Sequence, residues 1–138
     1  MPAVLAVGLD GRLEGRLTQI LAEAVGGSTD LFKAAFVSDG LFATAFGGDN
    51  APFERLQLTK VQSPIVLASM EQSNARADVA GESVARVTAK ITMRIYRGAR
   101  SSLLVVEDVA TAFGDAEASR RATDAVIQKA ALRLKAGI

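Results

Sequence analysis

Residues 86–95 alternate without a break. Val87, Ala89, Ile91, Met93 and Ile95 fall on one side, Arg86, Thr88, Lys90, Thr92 and Arg94 on the other. A repeat of two residues sends successive side chains to opposite faces of an extended chain, so this segment is predicted to be a half-buried β-strand. Arg97-Gly98-Ala99-Arg100-Ser101 then turns the chain, and residues 103–113 return antiparallel to it. Glu107 and Asp108 are adjacent in the returning strand, and a β-bulge there would let both reach solvent. Upstream, residues 65–70 form a buried apolar strand. It runs on into a second alternation, Ala75, Ala77 and Val79 against Asn74, Arg76 and Asp78, with Gly81 in the loop beyond.

The ends of the chain carry the helical period. Residues 3–9 are a continuous apolar run, as expected of a strand buried on both faces. Asp10 then caps a helix whose stripe is Leu13, Leu17, Ile20, Leu21 and Ala24. Arg12, Arg16, Gln19 and Glu23 lie outside it, and Gly26-Gly27 ends the helix. At the other end Asp115 is predicted to cap a long helix, with Glu117 in its first turn. Ala122, Val126, Ile127, Ala130, Ala131 and Leu134 face the core, Arg120 and Asp124 are spaced to pair, and Gly137 closes the helix.

Between these ends residues 32–37 read as another strand. Residues 41–46 have two readings: Asp39-Gly40 suits a tight hairpin returning a strand, or Asp39 caps a short helix carrying Leu41, Phe42, Ala45 and Phe46. Gly47-Gly48-Asp49-Asn50 is a loop, and Asn50 with Pro52 starts another short helix over residues 51–58.

This order predicts a single α+β domain over residues 1–138. It has one mixed, largely antiparallel sheet of about 4–5 strands, with an N-terminal and a C-terminal helix packed on it. A length of 138 residues is enough for one real core. Hydrophobic residues make up 49% but aromatic ones only 5%, so that core is built from small, closely packed side chains. Phe32, Phe36, Phe42, Phe46, Phe53 and Phe113 are its few large fillers.

Charge and chemistry narrow the functional classes. A net charge of +1 argues against nucleic-acid binding through global charge. No apolar run spans a bilayer, and Met1-Pro2 leads straight into apolar residues with neither a basic start nor a cleavage site, so no export signal is expected here. The chain has no Cys, His or Trp, which leaves no Ser-His-Asp triad, no Cys-His pair and no thiolate zinc site. No catalytic residue, cofactor site or metal site is assigned. Gly8, Gly11 and Gly15 match neither dinucleotide nor P-loop spacing and are read as permitting a turn. Gly48-Asp49-Asn50 lacks calcium-loop spacing and is read as a turn with a helix cap. The most site-like acids, Glu107 and Asp108 near Lys90, are read as a solvated break in a strand. The segment from Arg86 to Arg100 holds Arg86, Lys90, Arg94, Arg97 and Arg100 with no acid between them. Such a patch suits an acidic protein partner, anionic lipid or polysaccharide. No aromatic residues are interleaved for base stacking, so nucleic acid is not expected.

The strand over residues 87–96, the short turn, the second strand, then Phe113-Gly114-Asp115 and an Ala-rich helix over residues 116–136 together resemble the closing segment of the TolB amino-terminal-domain superfamily. That superfamily includes the curli-secretion lipoprotein and penicillin-binding-protein activator lipoproteins. The first half is compatible, with Leu31-Phe32 opening a strand that ends at Val37-Ser38-Asp39 before Leu41. The resemblance favours the helical reading of residues 41–46. It implies a non-enzymatic adaptor or secretion component at the periplasm or outer-membrane periphery, working by protein contact or self-association. The expected contact surfaces are an exposed sheet edge and the five basic residues. A small binding module for an anionic ligand, lipid or lipopolysaccharide on the same patch is the second expectation, and an enzyme the third.

Overall fold

The computed structural model describes residues 3–8, 15–27, 41–49, 51–52, 64–98 and 100–137. Strands β1 (Ala3–Gly8), β2 (Ile65–Val79), β3 (Glu82–Arg97) and β4 (Arg100–Ala112) form one sheet in chain order. β2, β3 and β4 are an antiparallel meander, and β1 joins β2 in parallel. Among the described residues, the helices α1 (Gly15–Val25), α2 (Leu41–Phe46) and α3 (Asp115–Gly137) complete an α+β arrangement. Residues 41–46 are therefore helix, not the return of a hairpin. The strand expected over residues 32–37, the cap at Asp10 and residues 53–58 lie outside the described residues.

One face of the sheet carries the core. Val4 and Ala6 of β1, Val66 and Ala68 of β2, and the alternating row from Ala85 to Ile95 on β3 are buried there beneath α1 and α3. From α3 come Ala118, Ala122, Val126, Ile127, Ala130 and Leu134, and from α1 Leu17, Leu21 and Ala22. Alanine on both sides of this interface lets the long helix approach the sheet closely. The side chains that fill the remaining space, Met93, Ile91 and Leu134, are inaccessible to solvent. The two helices are joined across their tops by Arg16 and Asp124, 2.5 Å apart. Asp124 thus pairs with α1 and not with Arg120, because the i,i+4 spacing that favours a pair on an isolated helix loses here to a neighbouring helix.

Turn chemistry explains the helix and hairpin ends. α1 stops in a Schellman arrangement, with Gly26 at φ +65°, Gly27 donating to the Ala22 carbonyl and Gly26 to that of Glu23. α2 stops the same way, with Gly48 at φ +100°, Asp49 donating to Thr44 and Gly48 to Ala45. Beyond it, the Asp49 carboxylate accepts from the Ala51 amide at 2.9 Å in an Asx turn, while Asn50, expected to start the next helix, lies outside the described residues. At the start of α3 the carbonyl of Gly114 accepts from Ala118, so Gly114 holds the cap position and Asp115 is the first helical residue. The Asp115 carboxylate instead meets Arg76 of β2 at 3.3 Å.

Two further expectations are corrected. The β3–β4 register runs unbroken from Arg97↔Arg100 to Ala85↔Ala112, so no bulge forms at Glu107 and Asp108. The regular pleat sends Glu107 to the face away from α1 and α3, and Asp108, half-buried, to the helix side. In β2 the alternation of residues 74–79 does not mark burial under the helices. Ala75, Ala77 and Val79 lie on the opposite face, because the even-numbered positions share a side with the buried Val66 and Ala68. The helix-side positions are polar because they bind α3 at its rim: Gln72 meets Thr123 and Ser119, and Arg76 meets Asp115.

Candidate protein-interaction surface

The face of the sheet away from α1 and α3 is built from odd-numbered residues of β2 and β4 and even-numbered residues of β3. At one end α2 covers it. Ile65, Leu67 and Tyr96 are buried there with Leu41 and Ala45, and the Tyr96 hydroxyl donates to the Ala45 carbonyl at 2.6 Å. Burial pushes the Tyr96 phenol above its ordinary pKa, while neighbouring Arg94 pulls it down. Further along, the face opens in successive rungs read from the register: Ser69–Thr92–Val105, Glu71–Lys90–Glu107, Ser73–Thr88–Val109 and Ala75–Arg86–Thr111.

The five basic residues do not make one surface. Arg86, Lys90 and Arg94 share the open face, as their spacing requires, whereas Arg97 and Arg100 fall on the helix side of the sheet. Arg94 is half-buried and engaged: Nε donates to the Phe46 carbonyl at 2.6 Å and Nη1 to the Ser101 hydroxyl at 2.9 Å. Lys90 stands in register between Glu71 and Glu107, carboxylates that offset its charge across the strands. Arg97 donates to the carbonyl of Gly137 at 2.8 Å, at the end of α3 where the helix dipole is negative. Arg86 and Arg100 remain exposed at opposite ends of β3 and β4.

Most of the open face is polar, but its β4 margin carries apolar side chains where soluble surfaces are usually polar. Leu103 is 54% exposed, Val105 47% and Phe113 73%, and Val79 and Val109 are also exposed. Among the described residues β4 is an edge of the sheet, so half of its backbone groups point away from β3. The pair closing a two-residue hairpin is hydrogen-bonded, here Arg97↔Arg100, so the outward groups belong to the odd-numbered residues of β4.

Side chains already occupy some of those outward groups. Lys129 Nζ donates to the Glu107 carbonyl at 2.9 Å, Arg121 reaches the Thr111 carbonyl at 3.5 Å, and the Asp108 carboxylate accepts from the Val109 amide at 2.9 Å. Glu107, Val109 and Thr111 thus each have one outward group engaged by a side chain. Among the described residues nothing comparable reaches the outward groups of Ser101, Leu103 and Val105. Sequence reasoning anticipated an exposed edge but not this division. Lys129 and Arg121 are signalled only by their eight-residue separation along one side of α3, and their role needs the edge in place.

Among the described residues there is no cluster of acidic side chains able to hold a metal ion, and no helix long and apolar enough to cross a membrane. No protein-family model matches the chain, and no curated protein sequence matches it.

Proposed function

We propose that this is a non-catalytic protein-interaction domain that binds through the β4 margin of its sheet, as an adaptor or assembly component of a bacterial cell-envelope complex. The envelope setting rests on the resemblance to the TolB amino-terminal-domain superfamily. The contact mode rests on one observation: the uncapped stretch of β4 from Ser101 to Val105 carries exposed apolar side chains beside unused backbone donors and acceptors. That combination is what strand addition uses, with main-chain hydrogen bonds supplying affinity and alternate side chains supplying specificity. The anionic-ligand reading is less favoured, since Arg94 and Arg97 are committed within the fold and Lys90 lies between two acids.

The test is photo-crosslinking in an extract of the native cells, with a benzophenone amino acid at Leu103 and, as control, at exposed Gln19 of α1. A discrete protein adduct at position 103 and none at position 19 is expected. Absence of any adduct at position 103 overturns the reading.

A further inference from the structure

The β4 edge fits a second copy of the same strand. We infer that the chain forms a two-fold dimer by antiparallel pairing of β4 with β4, in a register centred on Leu104. This inference rests on the interaction reading above and names its partner.

Three observations lead to this register. The first is where the edge is open. Side chains already engage outward groups of Glu107, Val109 and Thr111, so an added strand must find its free donors and acceptors along Ser101 to Val105. A two-fold axis perpendicular to the sheet pairs residues of equal parity, and a hydrogen-bonded pair must use the outward, odd-numbered positions. Centring on Leu104 places Leu103 opposite the partner's Val105, and Val105 opposite the partner's Leu103, inside the uncapped stretch. Ser101 then faces the partner's Glu107, whose carbonyl Lys129 already holds, so the two Leu103–Val105 pairs carry the new main-chain hydrogen bonds.

The second observation is charge. In this register Arg100 faces the partner's Asp108 on the helix side of the sheet, and the symmetric pair repeats it. Arg100 is exposed and Asp108 half-buried at the margin, with one carboxylate oxygen engaged by the Val109 amide. Shifting the axis one residue toward Leu103 would set Arg100 against the partner's Val106, which is buried and apolar. Opposite charges directly across a strand pair favour a register and like charges disfavour it, so the Leu104-centred alignment is selected.

The third is apolar surface on two layers. On the open face, Leu103 and Val105 would be covered by each other's copies. On the helix side, Leu132 of α3 is 70% exposed, three residues beyond Lys129 and eleven beyond Arg121, and so on the side of α3 that leans over the β4 edge. Pairing at the strand spacing of about 4.8 Å brings the two copies of α3 side by side, with Leu132 between them. An open groove of about 370 Å³ beside Ser102, Leu104 and Arg133 offers room on the same side. One pairing event thus covers large exposed apolar side chains of both layers.

The experiment is sedimentation velocity across a concentration series. It compares the wild type with Val105→Pro, Arg100→Asp and the double variant Arg100→Asp/Asp108→Arg, with circular dichroism of each as a control of fold. The wild type should shift toward the mass of a dimer as concentration rises. Proline at 105 removes an outward donor and leaves the β3–β4 ladder intact, so Val105→Pro should stay monomeric with an unchanged spectrum. Arg100→Asp should weaken dimerisation about tenfold, near 1.4 kcal/mol, and the double variant should restore it. Should Val105→Pro fail to fold, the charge swap alone decides.

A wild type that remains monomeric to its solubility limit overturns the inference, as does a dimer indifferent to the charge swap. If position 103 meanwhile crosslinks to a protein of different mass, the interaction reading survives and only the choice of partner fails.

Discussion

The Nε of Arg94 donates to the carbonyl of Phe46 at 2.6 Å, fastening the middle of the sheet to the last turn of α2. Its guanidinium lies over Gly48, where a Cβ would come within 3.3 Å of Nη1. Gly48 is thus required twice, by its φ of +100° and by the cation above it. Arg94→Ala should cost about 2 kcal/mol, the usual scale for losing hydrogen bonds to a charged group. Gly48→Ala should cost about 1–3 kcal/mol through backbone strain alone. Urea unfolding of both variants checks this, and an Arg94→Ala protein as stable as the wild type would mean that the α2 contact contributes nothing.

Next to it, Tyr96 gives a pH dependence whose sign follows from its environment. Its phenol is buried, donates to the Ala45 carbonyl and has a raised pKa. The folded state therefore holds the proton more tightly than the unfolded chain, where the group titrates near 10. The associated stability is fully present below about pH 10 and is lost as pH rises through the higher folded value. Because the chain has a single tyrosine, its ultraviolet absorbance titration reports this group alone. The midpoint should lie above 10 in the folded protein and return to about 10 in denaturant.

Much of this architecture was legible in the sequence where one strong period acted alone. The alternation through β3 placed every residue from Val87 to Ile95 on its correct face, and the long Ala-rich segment became α3 with nearly the expected stripe. What stayed hidden depended on neighbours that are distant along the chain. The alternation of residues 74–79 says that two faces differ, not which one the helices cover. The basic residues from Arg86 to Arg100 look like one patch in one dimension. Arg97, three residues beyond Arg94 on the same strand, falls on the other face by the pleat alone, the register sets Arg100 opposite it, and α2 claims Arg94 from outside the segment. The candidate edge was anticipated in kind. Its uncapped stretch was not, because Lys129 and Arg121 come from α3 and reach backbone atoms, which leave no pattern in side-chain chemistry.

Thr18 is an instance of a polar residue in an apolar stripe. It is buried on α1, and its hydroxyl accepts from the Ala6 amide at 3.1 Å and lies 3.4 Å from the Ala6 carbonyl. The side chain thereby holds the β1 backbone to the helix that follows it. Thr18→Val keeps the shape and removes the hydroxyl, leaving the buried amide of Ala6 without that partner. A loss of about 1–3 kcal/mol is expected. Faster hydrogen exchange at the Ala6 amide should accompany it, and unchanged exchange there would contradict the assigned bond.

The β2–β3 hairpin holds a position where the natural residue is not the best one. Val79 pairs with Glu82, so the loop is only Ala80-Gly81, with φ of 53° and 84°. Positive φ at both central positions is the type I′ geometry, whose twist matches that of the flanking strands. Gly81 adopts it without steric cost, but the Cβ of Ala80 crowds its own carbonyl in the left-handed region, which disfavours it by about 1–2 kcal/mol. Asparagine tolerates that region better, and Asn-Gly is the preferred pair for this turn. Ala80→Asn should therefore raise stability by about 0.5–1 kcal/mol, whereas Ala80→Pro, locked near φ −65°, should lower it by more. Thermal unfolding of the two variants beside the wild type is the measurement. Stabilisation by Asn and loss with Pro establish the I′ turn in solution, and the reverse order would show that the hairpin closes through a different turn.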